Sequence, residues 1–361
     1  MSKLIPSNPN LEIVGEIKQI VETTRKNVAT AVNSELLNAY WNIGRLIADQ
    51  SSAFNDTTAR NFILNLSKSL TNEFGRGFSR SNLFNMRNFY LNYPDVQTVS
   101  GHLTWSHYCE LLAVSDVDAR KFYEKESLNS RWSVRELSRQ IDAALFERLL
   151  LADSNQRKQK LIELAREGHV IDKAEDIVKD PYVLEFLGLQ EHKIKKEKGL
   201  EKKLMEHIED FLLELGRGFM FVGSQQRVTI NNIHYKIDLV FYNKILKAYV
   251  LIDLKIGKFR AENAGQMNSY INYYKTEVNS PDDSPPIGII LCADKDAIAA
   301  EYALGGLENH IFASKYTLLL PNKEQLIKQV EYVLAQDEDD LIAEREESAL
   351  FSNEDSQDGQ G

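Results

Sequence analysis

Near residue 216 the spacing of apolar side chains changes period, and that change limits what the chain can fold into more than any other feature. Over residues 11–150 apolar residues recur at three-and-four spacing, glycines are few and Pro94 is the one proline, which is the pattern of packed amphipathic helices. After a helix predicted over 199–215 and ended by Gly216, strand-like runs follow at 219–222, 227–230, 233–242 and 248–254, then a helix over 261–274 and another strand at 287–292. A helical first half is therefore followed by a mixed α/β second half. At roughly 150 residues per domain, 361 residues leave room for two or three domains.

Between the halves, helices are predicted over 156–168 and 173–179, and Asp180-Pro181 reads as a turn or helix start leading into residues 182–188. Residues 191–203 hold His192 and six lysines with little apolar material. The expected organisation is a flexible terminus at 1–10, a helical domain at 11–189, a basic linker at 190–198, an α/β domain at 199–335 and an acidic, disordered tail at 336–361. The tail accounts for the net charge: residues 331–361 carry eleven acids and Arg345, and residues 1–330 carry 42 acids and 42 bases. The net charge of −10 is thus a property of a segment too polar to bury a core.

The neutral body is locally polarised. Residues 59–90 set Arg60, Lys68, Arg76, Arg80 and Arg87 against Glu73, and residues 244–260 set Lys244, Lys247, Lys255, Lys258 and Arg260 against Asp253. Basic patches of this kind suit a phosphate backbone, although they also suit a solvated face. With 43% hydrophobic and 27% charged residues the composition is that of an ordinary globular protein. Cys109 and Cys292 are too far apart in sequence for a metal-ligand or disulfide framework. No signal-peptide layout opens the chain and no apolar run approaches about 20 residues, so a cytoplasmic protein without membrane association is expected. Nothing in the sequence sets the oligomeric state, and a homo-oligomer is compatible with it.

In the helical half, Phe62, Ile63, Leu66, Leu70 and Phe74 form one stripe, Gly75-Arg76-Gly77 breaks the helix, and Ser79 is a suitable N-cap for a helix over 80–90. The second helix opens with Arg80 and Ser81 and carries Arg87, the layout of a helix-turn-helix with its recognition helix. A plain helical hairpin is the competing explanation. Trp105, His107 and Tyr108 are expected to pack in a core at a helix start.

In the α/β half, Asp253 and Lys255 interrupt an otherwise apolar strand, where a charge is costly unless paired or bound to metal. Two residues apart, they project from the same face. Asp238 interrupts the preceding strand in the same way, and a hairpin centred on 243–247 places it nearly opposite Asp253. Two such carboxylates disfavour joint ionisation unless a cation lies between them. Lys255 alone can neutralise only one, leaving a surplus carboxylate. Hard carboxylate oxygens beside an ammonium suit metal-assisted phosphodiester hydrolysis with Mg²⁺, or Mn²⁺ in its place. A glycosidase pairing of carboxylates leaves Lys255 without a role. Glu201, in line with Leu204, Ile208, Phe211 and Leu215, is the expected third acid, with Glu214 as runner-up, whereas Glu206 and Glu209 lie off that stripe. Gln266 and Tyr270, four apart, share one face of the later helix.

Asp238, then Asp253-x-Lys255, set between a Glu-bearing helix and a Gln-x-x-x-Tyr helix, resembles the PD-(D/E)XK nuclease superfamily, and the Gln266–Tyr270 pair is similar to its RecB-like branch. More closely, residues 11–330 resemble the YhcG-like family of bacterial nucleases, through the stretches 66–83, 180–189, 211–216 and 252–259. The resemblance implies a restriction-endonuclease-like C-terminal domain behind a helical, helix-turn-helix-like N-terminal domain. It also implies metal ligation by Asp238 and Asp253, support from Glu201 and a catalytic role for Lys255. Ile237 stands in place of the motif's proline and Asp253 where relatives more often have glutamate. The expected function is that of a metal-dependent deoxyribonuclease, with Gln266 and Tyr270 completing the site and Arg76, Arg80, Ser81, Arg87, Lys258 and Arg260 meeting DNA. The alternative is a non-catalytic nucleic-acid-binding or assembly adaptor that keeps the fold.

Overall fold

The computed structural model describes residues 9–52, 54–152, 157–189, 197–307, 310–332 and 334. The expected tail, all of the linker but residues 197–198, and residues 1–8 lie outside these. The chain divides into two compact units, one of residues 1–120 and 131–137, the other of 121–130 and 138–361. Among the described residues no helix is long and apolar enough to cross a membrane.

The first unit is helical. It holds α1 (Pro9–Ser51), α2 (Asp56–Phe74), α3 (Arg80–Asn92) and α4 (Trp105–Leu112). The helices α5 (Val117–Ser130) and α6 (Val134–Asp142) each contribute residues to both units. As the stripes lead one to expect, Ile47 of α1, Ile63 of α2 and Leu83 and Met86 of α3 form a buried cluster, with Leu66, Leu70 and Trp105 against it. Gly44 lets α1 and α3 approach closely, because a Cβ there would run into the Met86 carbonyl oxygen. Ser79 caps α3, its hydroxyl accepting from the Asn82 N–H at 3.2 Å. His107 and Tyr108 are buried at the start of α4, and the Trp105 ring lies 5.4 Å from that of Phe89. These aromatics are core, as expected.

The second unit continues with α7 (Leu145–Ala152), α8 (Arg157–Glu167), β1 (Tyr182–Val183), α9 (Glu197–Glu206) and α10 (Ile208–Leu215). Then come β2 (Phe219–Ile230), β3 (Ile233–Asn243), β4 (Ala248–Lys258), α11 (Ala261–Tyr273), β5 (Ile287–Asp294), α12 (Ala297–Leu304) and β6 (His310–Thr317). The six strands form one mixed sheet in the order β1-β6-β5-β4-β3-β2, with β2, β3 and β4 antiparallel neighbours and β4, β5, β6 and β1 parallel ones. Both faces are covered. Leu200, Leu204, Phe211 and Leu215 of α9 and α10 pack on Leu239, Phe241, Val250 and Ile252, and Met267, Tyr270 and Ile271 of α11 pack on Val240, Leu251 and Ile290.

The structure adds α12 and β6 to the elements expected from the sequence, and it differs from that expectation at several others. The 199–215 helix is two, because His207 leaves helical geometry at φ −120° and ψ 37°. The two short runs at 219–222 and 227–230 are one strand, β2. Residues 182–183 are a strand, paired in parallel with β6, and residues 174–177, inside the expected 173–179 helix, form only a short 3₁₀ turn. The segment from 138 to 189, read with the helical half, packs in the second unit. It is tied there by apolar packing, with Ile171, Ile177, Tyr182, Leu184 and Leu187 in the core under the sheet, and by charge: the Glu214 carboxylate, at the end of α10, meets Arg139 at 3.1 Å, Arg148 at 3.0 Å and the Val183 N–H at 3.0 Å. Lys179 donates to the Glu214 carbonyl.

Candidate active site

The site forms where the sheet forks. β3 and β4 pair from Asn243↔Ala248 to Leu239↔Ile252 and no further. β4 continues along β5, with Asp253 opposite Ile290 and Lys255 opposite Cys292, and β3 continues along β2 to the turn at Asn231-Asn232. The paired numbers sum to 491, so Asp238 and Asp253 stand at the first level beyond the ladder. The Asp238 carboxylate takes over there: Oδ2 accepts the Leu254 N–H at 2.8 Å, in place of the strand-to-strand bond that the fork removes.

Asp253 is 3% exposed. Burial pushes its carboxyl up to about 6 against the pull of Lys255, and Asp238 and Glu197 push the same way. The Lys255 Nζ stands 2.7 Å from Asp253 Oδ2, a charge contact rather than a well-directed hydrogen bond. Burial works against the ammonium, but Asp253 and then Glu197 hold its pKa above the ordinary lysine value. The ion pair that the sequence allows is therefore formed, and among the described residues Asp238 enters no ion pair.

Glu201 is buried on α9. Burial, and then the charge of Asp238, raise its pKa, and a hydrogen bond from Gln225 opposes them. The Gln225 amide also donates to Asp238 Oδ1 at 3.1 Å, so one side chain serves both acids. Gln225 adopts φ +48°, a conformation that costs a non-glycine residue energy and that persists where surroundings over-determine it. On α11, Gln266 Nε2 donates to Tyr270 Oη at 2.5 Å, and Tyr270 Oη donates to the Lys236 carbonyl at 3.2 Å. The pair shares a face, as its spacing requires, and ties α11 to β3 two residues before Asp238.

Glu214 stands apart in the arginine cluster described above. Lys258 is exposed and pairs with Asp294 at 3.3 Å, and Arg260 is exposed at the start of α11. In the helical unit Arg76, Arg80 and Ser81 are exposed, with the Arg80 guanidinium 5.9 Å from the Phe84 ring centre. Arg87 is half-buried, and its Nε donates to the Ser51 hydroxyl at 3.3 Å.

Two residues near the carboxylates escape the sequence reading. Gln225 hides in a polar interruption, Gly-Ser-Gln-Gln, that looks like a break between strands. Glu197 sits one turn before Glu201 on the same helix face, at the edge of a lysine-rich stretch that reads as linker.

The donor set suits a hard divalent cation: three acids, two of which, Glu201 and Asp253, are raised by burial first and by the charge of Asp238 as well, with one lysine for compensation. Among the described residues no three His, Cys, Asp or Glu side chains are drawn together into one ligand group. The fit is therefore one of chemistry and charge, with Asp238 held by Leu254 and Gln225 and Asp253 held by Lys255.

Both halves of the chain are similar to known proteins. Residues 175–331 match the YhcG PDDEXK nuclease domain, and residues 16–148 match the DUF1016 N-terminal domain. A repair endonuclease from Pyrococcus abyssi of known crystal structure is 16% identical, covering 35% of this chain and 48% of its own at a TM-score of 0.26, too slight a likeness to carry an argument. The Escherichia coli (strain K12) protein named "Putative nuclease YhcG" is 38% identical over 349 residues, covering 87% of this chain and 92% of its own. The chain thus belongs to the YhcG family, with a PDDEXK nuclease domain as its second half.

Proposed function

We propose that the protein is a metal-dependent deoxyribonuclease of the cytoplasm, hydrolysing phosphodiester bonds at the fork between β3 and β4. The observation that supports this best is the buried Asp253 beside Lys255 with Asp238 across the fork, two carboxylates and one ammonium at a sheet end. Asp238, Asp253 and Glu201 would hold Mg²⁺ or Mn²⁺, which when bound polarises the phosphate and lowers the pKa of water. Lys255 directs its ammonium at the developing charge on the phosphate or positions the attacking water. Asp253 keeps that ammonium charged and aimed, and Gln225 holds Asp238 and Glu201 in register. Tyr270 and Gln266 fix the β3 backbone beside Asp238. Lys258 and Arg260, exposed at the end of β4 and the start of α11, contact the substrate backbone.

DNA engagement by the helical unit is a further part of this reading. It rests on Arg76, Arg80 and Ser81, exposed around the turn between α2 and α3. The test is a cleavage assay on labelled linear, nicked and branched DNA with Mg²⁺ or Mn²⁺. Metal-dependent products are expected from at least one substrate. Binding without products on every substrate, in either metal, would favour the non-catalytic adaptor.

A further inference from the structure

Beyond the fork, β2 and β3 run on as a two-stranded ribbon of five residue pairs, from Gln226↔Ile237 to Ile230↔Ile233, roughly 17 Å at about 3.4 Å per residue. Its two faces differ. Val228 and Ile237 are buried in the cluster that includes Tyr270 of α11, and the Tyr235 ring lies 6.3 Å from that of Tyr270. The other face carries Arg227 directly opposite Lys236 and Thr229 directly opposite His234, all four exposed.

Two cations facing each other across a strand pair are destabilising. Residues 219–237 contain no acid to relieve them. Among the described residues neither Arg227 nor Lys236 enters an ion pair, although Lys236 is near enough to Glu201 to lower its pKa. The imidazole is set as a spacer: Arg227 donates to His234 Nε2, which leaves Nδ1 to donate to Thr229 Oγ1 at 3.0 Å. The guanidinium is thus held over the ribbon by a neutral partner, with its charge uncompensated. A chain of anions laid along this face would supply what the fold does not.

We propose that the outer face of this ribbon, Arg227 and Lys236 with Thr229 and His234, is a track for the phosphodiester backbone of a nucleic acid strand. Lys236 stands at the end nearer the carboxylates and the track leads the strand to the fork. The proposal rests on the nuclease reading for its purpose, but its test is binding rather than cleavage. Phosphate contacts position a strand without reading its sequence, so the track engages any sequence alike.

The experiment is a titration of a labelled DNA duplex of random sequence with the full-length protein in EDTA, at several salt concentrations between 50 and 200 mM. Each duplex phosphate contact contributes about −0.9 to the slope of log K against log salt. The R227Q/K236Q variant is expected to lose about 1.8 from that slope and to bind at least about fivefold more weakly at the lowest salt. R227Q alone is expected to lose about half as much slope. The charge-conserving R227K/K236R variant is expected to keep the slope. An unchanged slope and affinity in R227Q/K236Q, or a wild-type protein that binds no DNA, would overturn the track. If the slope shifts but no metal supports cleavage, the track stands and the nuclease reading fails.

Discussion

Asp253 and Glu214 are both buried acids, and their surroundings move them in opposite directions. Burial raises Asp253 to about 6, so the folded, metal-free protein holds that proton more tightly than the unfolded chain does. The contribution of this group to stability is complete below pH 3.8 and is lost as pH rises through about 6. Burial would also raise Glu214, but Lys179, Arg148 and Arg139 outweigh it and draw the pKa down to about 2. Its contribution stands above pH 4.5 and is lost as pH falls toward 2. Melting the protein in EDTA from pH 3 to 8 is expected to show a fall in Tm between pH 4 and 6 that is shallower in Asp253→Asn. An identical fall in that variant would assign it to another group. Gln225, donor to Asp238 and to Glu201, is expected to matter as the partner of a ligand does: Gln225→Ala should lower cleavage about 10- to 100-fold with little change in Tm. Single-turnover rates beside melting curves check both parts.

At the level of elements, helix α9 and strands β3 and β4 do the placing. Glu201→Gln is expected to raise the metal concentration needed for half-maximal cleavage, because it removes an acid that feels Asp238 directly. Glu214→Gln is expected to cost about 3–5 kcal/mol, leaving two arginines and a lysine around an uncharged group, with the metal requirement unmoved. Metal-titrated rates and denaturant curves separate the two, and a metal defect in the Glu214 variant alone would exchange their roles. Much of this arrangement was legible in the residues. The alternation of β3 and β4 and the length of their turn were enough to set Asp238 against Asp253, because register follows from the loop. The stripe of α9 marked Glu201 as inward. The break at His207 was not legible, since no proline or glycine announces it. Neither was β1, whose two residues are too few to show a period. Gln225 was hidden because its role depends on a left-handed backbone that its type does not signal, and Arg87 because pattern alone cannot tell a helix face that meets solvent from one that meets Ser51.

Across the whole molecule the sequence charge is concentrated outside the described residues, and the α2–α3 turn and the β2–β3 ribbon each present cations without the acids to match them. The R76Q/R80Q variant of the full-length protein is expected to weaken DNA binding and reduce its salt dependence by about 1.8 in slope. Arg87→Ala, which breaks the contact to Ser51, is expected to lower Tm more than affinity. Equal slopes in wild type and R76Q/R80Q would return α2 and α3 to a plain helical hairpin. The central claim is that the fork between β3 and β4 is a hydrolytic centre, and the most direct measurement compares wild type with Asp253→Ala. Both proteins, purified in parallel and matched by their melting curves, are assayed for Mg²⁺- or Mn²⁺-dependent release of labelled DNA product. Cleavage by the wild type that falls at least about a hundredfold in the variant is expected; equal cleavage by the two proteins would contradict the site.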